Sequence, residues 1–521
     1  MSQTAPPPLQ PLQGSARLWG TLALSAATFM NVLDSSIANV SLPAIAGDLG
    51  VSPNQGTWVI TSFGVANAIS LPLTGWLSQR FGQVRLFVTS VLLFVLTSWL
   101  CGLAPNMTTL ILFRAAQGFV AGPMMPLAQS LLLSSYPPAM AGTAMAMWAM
   151  TTLVAPVMGP LLGGWITEHI NWSWIFYINI PVGLVAAFIT WGIFHKRESV
   201  RRALPIDRVG LALLVIAVGS LQIMLDRGKE LDWFHSSEVL TLAIVAALGF
   251  AYFVAWELTD DHPVVDLRLL KGRNFRTGTL AMAVAYSLFM GNVVLLPLWL
   301  QQFMGYTATE AGWMLAPVGL FAILLSPAVG KNVARTDPRL LTTFAFVVFA
   351  LVLYMRAHFS TLADAGTIML PTIVQGVAVA FFFIPLSVIT LGGLPPDRIP
   401  SASGLSSFAR MVGGSFGTSI AITIWQDRAA MHHAQLAEAI NPGNATAMTA
   451  LNGLTNSGMS AEQALTQINR MIDQQAYTLA ANDVFFASSM IFLTLIPIVW
   501  LSRPARARPG AGAPAADAGA H

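Results

Sequence analysis

Runs of about 20 residues almost free of charge recur along the whole chain, and nothing else in the sequence constrains its fold more. Only 9% of the 521 residues are charged and 55% are hydrophobic, against about 25% charged in an ordinary globular chain. Apolar surface on that scale meets lipid. In lipid each span must satisfy its own backbone hydrogen bonds, so the expected fold class is an all-α membrane protein. Windows long enough to cross a bilayer lie near 18–45, 56–77, 86–101, 108–132, 142–165, 174–194, 209–225, 239–256, 277–303, 311–329, 340–355, 367–391, 402–425 and 484–501. These are 14 transmembrane helices, an even number, which puts both termini on one side. The first run is too long for a cleaved leader and reads as a retained helix.

Basic residues orient the bundle. Of the 26 Lys and Arg, five fall on the side away from the termini (Arg227, Lys229, Arg356, Arg428 and Arg470), two lie inside spans (Arg114 and Arg410), and the other nineteen are on the terminus side. Both termini are therefore expected to be cytoplasmic, in a multi-pass membrane protein. A formal charge of +3, with no basic block interleaved with aromatics, gives no sign of a nucleic-acid partner. Cys101 is the sole cysteine, so an intrachain disulfide is impossible. All eight histidines lie in loops or in the tail, and no glycine-rich phosphate loop occurs. The reading is a transporter rather than an enzyme, with no cofactor or metal and no sign of ATP chemistry.

A weak internal repeat gives the domain plan. Pro43 aligns with Pro297, Trp58 with Trp313, Pro72-x-x-Gly75 with Pro327-x-x-Gly330, Gln117-Gly118 with Gln375-Gly376, and Pro137-Pro138 with Pro395-Pro396, all at offsets of 254 to 258. Spans 1–5 thus repeat as spans 9–13, leaving spans 7 and 8 as an addition. The expected organisation is a cytoplasmic tail (1–17), a six-helix bundle (18–194), an inserted pair with its flanking loops (195–276), a second six-helix bundle (277–501) containing a periplasmic segment (427–483), and a disordered cytoplasmic tail (502–521). Two parallel six-helix halves are the plan of major facilitator transporters.

The first span, FMNVLDSSIANVSLP, carries a carboxylate where an unpaired charge is expensive. At 100° per residue, Thr28, Asn31, Asp34, Ser35, Ala38, Asn39 and Ser41 share one face, which must look into the bundle. Asp34 is the one acid deep within a span. It reads as a proton or cation site, the alternative being a structural hydrogen-bond acceptor. Arg114, in LFRAAQGFVAG, lies ~9 Å from its outer helix end against ~16 Å for Asp34 at 1.5 Å per residue. A long side chain spans most of that difference, so the two can pair directly or through water; otherwise Arg114 snorkels outward. In APVMGPLLGGW, Gly159 and Gly163 form a small-xxx-small packing face, and Pro156 and Pro160 are expected to kink the helix. Arg410 either bonds backbone carbonyls or faces substrate. Asn31, Gln117, Gln375 and Arg410 are the candidate cavity residues. In the outer segment, Ser460 and Gln463 read as a capping box, followed by an apolar face of Leu465, Ile468, Ile472, Ala476 and Leu479.

LDSSIANVSLPAIAGDLG, GWLSQRFGQVRLF, LFRAAQGFVAG and APVMGPLLGG together resemble the signature segments of major facilitator drug:proton antiporters, in the branch with fourteen helices. The resemblance covers all the spans. It implies that Asp34 is the proton-linked carboxylate with Arg114 as partner, and that Pro156, Gly159, Pro160, Gly163 and Gly164 belong to the antiporter segment. It also implies that Gly75, Arg80, Gly82 and Arg85 form a gating loop. One departure stands out: Gln79 occupies a position where the family usually has an acid. The implied function is proton-driven export of hydrophobic drugs or toxic compounds, leaning towards weak acids, as the inner-membrane part of a tripartite efflux pump. Its partners would be a hydrophobic small molecule, the lipid bilayer, a periplasmic membrane-fusion adaptor and an outer-membrane channel, with the 427–483 segment either docking the adaptor or acting as a lid. The rival functions are a proton-coupled nutrient or siderophore carrier and a non-transporting membrane sensor.

Overall fold

The computed structural model describes residues 10–201, 205–228, 230–333 and 335–503, apart from the side chains at 53, 54, 153, 156, 157, 160, 161 and 308. Each apolar window forms a helix: α1 Gly14–Asp48, α2 Trp58–Phe81, α3 Gln83–Gly102, α4 in two pieces (Met107–Ala121 and Met124–Ser135), α5 Ala141–His169 and α6 Asn179–Phe194. The middle pair is α7 Arg208–Arg227 and α8 Ser237–Thr259. Then come α9 Arg273–Gln302, α10 Ala308–Asn332, α11 Pro338–Arg356, α12 Ala365–Leu391, α13 Ile399–Ala437 and α14 Ala461–Trp500. No strand occurs among the described residues. Eleven helices are long and apolar enough to cross a membrane by length and composition, counted over the described residues. α1, α5 and α13 are not among them. α1 buries Thr28, Asn31, Asp34 and Ser41, and α13 buries Ser401, Ser403, Ser407 and Ser419, so both devote their inner faces to polar residues.

Helix ends are set by short polar side chains that accept from free backbone N–H groups. Asn106 accepts from Thr109, Asp207 from Gly210 and Asp364 from Thr367, while Thr307 and Glu310 form a reciprocal capping box. The predicted box at Ser460 and Gln463 is present and opens α14.

α1 packs on α5 and α6, α2 on α4, and α3 on α4 and α6; α9 packs on α13, α12 on α10 and α11, and α14 on α11 and α13. The two groups meet along α2–α13 and α5–α10. Close approaches between them lie at the face carrying Gly82, Ala141 and Pro338, called the near face below. A Cβ on Gly75 would lie 2.1 Å from Ser401 Oγ, and one on Gly142 would lie 2.3 Å from the Gly330 carbonyl oxygen. Only glycine permits those approaches.

The inserted pair is wedged against both groups. Gln222 Nε2 donates to Ser415 Oγ at 2.8 Å, Ser419 Oγ to the Leu225 carbonyl at 2.7 Å, and Trp233 Nε1 to Thr423 Oγ1 at 2.8 Å, while Arg227 lies 5.9 Å above the Trp58 ring.

The outer segment forms differently from the expected separate insertion. α13 is 39 and α14 is 40 residues long, so each reaches about 60 Å at 1.5 Å per residue, twice the ~30 Å hydrocarbon core. They continue past the other helices as a hairpin, with the short helix Ala445–Asn456 at its tip. Arg428 and His432 both hold Asp483, at 2.9 and 2.8 Å, and His433 lies 3.4 Å from Asp473. Of the expected apolar face, Ile468 and Ala476 are buried, but Leu465 is 50% exposed. The tail expected to be disordered lies, from residue 504 onward, outside the described residues.

Candidate functional site

α1, α3, α4 and α6 converge on one buried polar cluster. Asp34 Oδ2 accepts from Arg114 Nη1 at 2.6 Å. Asp34 Oδ1 accepts from Asn179 Nδ2 at 2.9 Å and from Gln117 Nε2 at 3.1 Å. Arg114 Nη1 also donates to Gln117 Oε1 at 2.6 Å, and its Nε donates to the Val59 carbonyl at 3.1 Å. Ser98 Oγ accepts from Gln117 at 2.8 Å and from Asn179 at 3.3 Å. The guanidinium is sandwiched by rings, 4.3 Å from the Phe63 centroid and 5.4 Å from that of Phe176. Asp34 is 2% exposed, and Arg114 and Gln117 are 0%.

The local reason for this cluster is register. Arg114 and Gln117 are three residues apart, hence on one face of α4, and that face meets the polar stripe of α1. An ionised carboxylate only accepts, and here three donors point at it from three residues. The pair is direct, and the snorkelling alternative for Arg114 is replaced by burial. Removing the proton-accepting capacity of Asp34 would strip Arg114 of its only charged partner among the described residues. The site is therefore built so that a change of charge at Asp34 must be felt by α4 and α6.

Two members of the cluster, Asn179 and Ser98, are not visible as candidates in the sequence. Each is a single polar residue in an apolar run, a pattern shared by many residues that only bond their own helix.

The remaining candidates divide. Asn31 is 4% exposed and donates to the Ala121 carbonyl at 3.2 Å, so it ties α1 to α4 and does not line an opening. Gln375 accepts from Arg356 Nη2 at 2.7 Å, and the same nitrogen donates to Thr372 Oγ1 at 3.2 Å. Arg356, expected in an outer loop, is instead 1% exposed and folded back into the bundle. At the 258-residue offset Thr372 stands where Arg114 stands in the first half. The second half thus also presents a guanidinium to the Gln of a Gln-Gly pair, supplied from the neighbouring helix, and the sequence signal for it is that repeated pair. Arg410 is half-buried, its guanidinium 5.3 Å from the Trp148 ring of α5 and 5.5 Å from the Tyr286 ring of α9. It bridges the two halves by aromatic contact, not by the backbone bonding that is one of its two expected roles.

Gly159 and Gly163 face α1: a Cβ on Gly159 would lie 2.2 Å from Ser36 Oγ, and one on Gly163 3.2 Å from the Ile37 carbonyl oxygen. Gly164 faces open space. Pro156 and Pro160 are among the residues whose side chains are not described, and the expected kink falls on them. In the α2–α3 loop Gly82 has φ +89°, a conformation that favours glycine. The acid missing at Gln79 has a counterpart from elsewhere: the Glu198 carboxylate accepts from the Val84 and Arg85 amides at 3.0 and 2.9 Å, closing the N-terminus of α3 from beyond α6.

Residues 24–418 match the model of the Major Facilitator Superfamily. Multidrug export protein EmrB of Escherichia coli K12 is 51% identical over 96% of this chain and 98% of its own length. Fatty acid resistance protein FarB of Neisseria gonorrhoeae is 49% identical over 95% of this chain and 97% of its own. The crystal structure of the human organic anion transporter MFSD10 (TETRAN) superposes with a TM-score of 0.59 at 14% identity, covering 94% of this chain and all of that one, which is a likeness of fold. On the family match and on half-identity over nearly full length, the chain belongs to the major facilitator superfamily of membrane transporters, within its EmrB-like group.

Proposed function

We propose that this protein is a proton-driven antiporter that exports hydrophobic compounds, including lipophilic weak acids, across a bacterial inner membrane. It has fourteen spans arranged six, two and six, with both termini cytoplasmic. The observation that carries the reading is the Asp34–Arg114 pair, buried among apolar helices and held by Gln117 and Asn179. Intramembrane ion pairs are costly and persist where they are used. In the proposed cycle Asp34 takes a proton from the outer side, which releases Arg114 from its charged partner; the strain on α1 and α4 is relieved by rocking of the halves, and the proton leaves inwards as substrate leaves outwards. The near-face glycine contacts at Gly75 and Gly142 are the inward gate in its closed position. Gly159 and Gly163 let α5 slide on α1.

The lean towards acids rests on Arg410, a half-buried guanidinium between aromatic walls at the junction of the halves. Such a site pairs a carboxylate or phenolate with a flat apolar body. The names of two relatives, a multidrug export protein and a fatty acid resistance protein, agree with that lean. The α13–α14 hairpin stands clear of the lipid and is a surface for a membrane-fusion adaptor, through which export would continue to an outer-membrane channel. Inside-out vesicles energised by a proton gradient, offered a panel of dyes, lipophilic acids and quaternary ammonium compounds, test the proposal. Gradient-dependent accumulation accompanied by proton efflux is expected, with acids favoured. Accumulation of cations alone would overturn the acid preference, and accumulation without proton movement would overturn the coupling.

A further inference from the structure

At the near-face end of α3 a cavity of about 350 Å³ is lined by Arg80, Phe81, Arg85, Leu86, Thr89 and Arg201. Three guanidiniums and one hydroxyl meet there. The acid nearest in the fold, Glu198, has its oxygens on the Val84, Arg85 and Ser199 amides, so it closes the helix end instead of neutralising the cavity. Arg85 and Arg201 have no carboxylate within ion-pair distance among the described residues. A second observation shows where the ligand's other end would go. Down the same face of α3, at alternating spacings of four and three residues, run Arg85, Thr89, Leu92, Leu96 and Trp99, all exposed. Leu92 is 43%, Leu93 41%, Leu96 47% and Trp99 48% exposed. The cavity is the head of an apolar track that faces lipid.

We propose that this cavity seats the phosphodiester headgroup of an anionic lipid, with an acyl chain laid along the α3 stripe. Guanidinium forks suit phosphate oxygens, the Thr89 hydroxyl adds a donor, and basic pockets at the inner surface attract anionic headgroups. A free phosphate ion would satisfy the guanidiniums but leave the stripe without a role. The bound lipid would tie the α2–α3 loop to the segment that leads from α6 to the inserted pair, adding to the links made by Glu198, by Ser199 on the Gln83 amide and by Trp76 on the Pro205 carbonyl. The inference needs only the membrane-spanning reading, and is independent of what the protein exports.

The test is native mass spectrometry of the full chain released from nanodiscs containing equal phosphatidylglycerol and phosphatidylcholine. The comparison is between the unaltered protein, the double variant Arg85→Gln/Arg201→Gln and the double variant Arg85→Lys/Arg201→Lys. Each arginine near the surface contributes about fivefold, so the glutamine pair should lower retention of phosphatidylglycerol about 25-fold. The lysine pair should keep most of it, which separates lost charge from lost folding. Millimolar inorganic phosphate should not displace the lipid. Equal retention of phosphatidylglycerol by all three proteins, or no preference over phosphatidylcholine, would overturn the proposal. Displacement by inorganic phosphate would also overturn it, by assigning the cavity to a free anion.

Discussion

Replacing Asp34 with Asn changes one charge at nearly constant shape, and the structure shows what each partner then loses. If Oδ1 of the new side chain still accepts from Asn179 and Gln117, Arg114 Nη1 faces an NH2 group; if the amide turns its uncharged oxygen to Arg114, the NH2 group meets the Asn179 and Gln117 donors instead. Removing one member of a buried pair costs ~3–5 kcal/mol. Arg114 keeps the Val59 carbonyl, Gln117 Oε1 and two ring faces, so the loss belongs at the lower end, ~3 kcal/mol. At 1.36 kcal/mol per tenfold that is on the order of 100-fold in any equilibrium that depends on the pair. It is well below what unfolding this many buried contacts would require, so the variant should insert and remain monodisperse in detergent. Gradient-driven accumulation in inside-out vesicles should fall to background. Binding of a hydrophobic dye, which needs no proton, should persist within a few-fold. If the Asp34→Asn variant is folded and still accumulates substrate at the unaltered rate, Asp34 is not the coupling carboxylate and the reasoning fails.

Arg114→Lys keeps the charge but offers one nitrogen where Nε and Nη1 now make three bonds. One lost bond to a charged group is worth ~1.5–3 kcal/mol, so transport should fall at least about tenfold; a rate within twofold of the original would refute the role of the fork. Gly142→Ala places a methyl 2.3 Å from the Gly330 carbonyl oxygen and 2.1 Å from Val333 Cγ1. It should prop the near face open, read as faster thiol labelling of Ala146→Cys in a Cys101→Ala background, and an unchanged rate would show that the halves do not close there. Outside the spans, hydrogen bonding from Arg339 holds the Asp337 carboxyl below its usual range. That stability is present above the ordinary carboxylate pKa of about 3.9 and is lost as pH falls through the depressed value. Thermal melts of Asp337→Asn should therefore show a smaller acid-side loss than the unaltered chain, and identical acid sides would exclude the contribution.

Much of this architecture is legible because lipid is an unforgiving solvent. It forces apolar runs to declare themselves as helices, and it makes a lone Asp34 visible as an anomaly. Burial also decides what is not legible. Arg356 ends its helix in the sequence LVLYMR, where a basic residue ordinarily marks a loop; nothing local says that its side chain turns back to reach Gln375. Asn179 and Ser98 matter only because α3 and α6 happen to present them to Asp34, a coincidence of packing between segments some 80 residues apart. The outer segment reads as an insertion because its polarity breaks the apolar windows at residues 425 and 484. Helix propensity and the Ser460 cap carry both helices straight through that change of solvent.

The two halves share a backbone plan but have diverged in charge. Each sets a guanidinium against the glutamine of a Gln-Gly pair, Arg114 on Gln117 and Arg356 on Gln375, yet among the described residues only the first half adds a carboxylate to it. Arg410 makes a third guanidinium beside the one carboxylate of these clusters, Asp34; the other buried acid among the described residues, Glu257, lies at the end of α8. Arg356 is satisfied in part by neutral oxygens and is too deeply packed to meet a guest. Arg410 is half-buried at the junction, with its described contacts confined to ring faces. A positive charge in a low-dielectric cleft raises the cost of a cationic guest and lowers that of an anionic one. On the proposed reading, the first half therefore carries the proton and the junction reads the substrate. The two tasks can vary independently: changing the rings around Arg410 should alter what is exported without touching how export is driven.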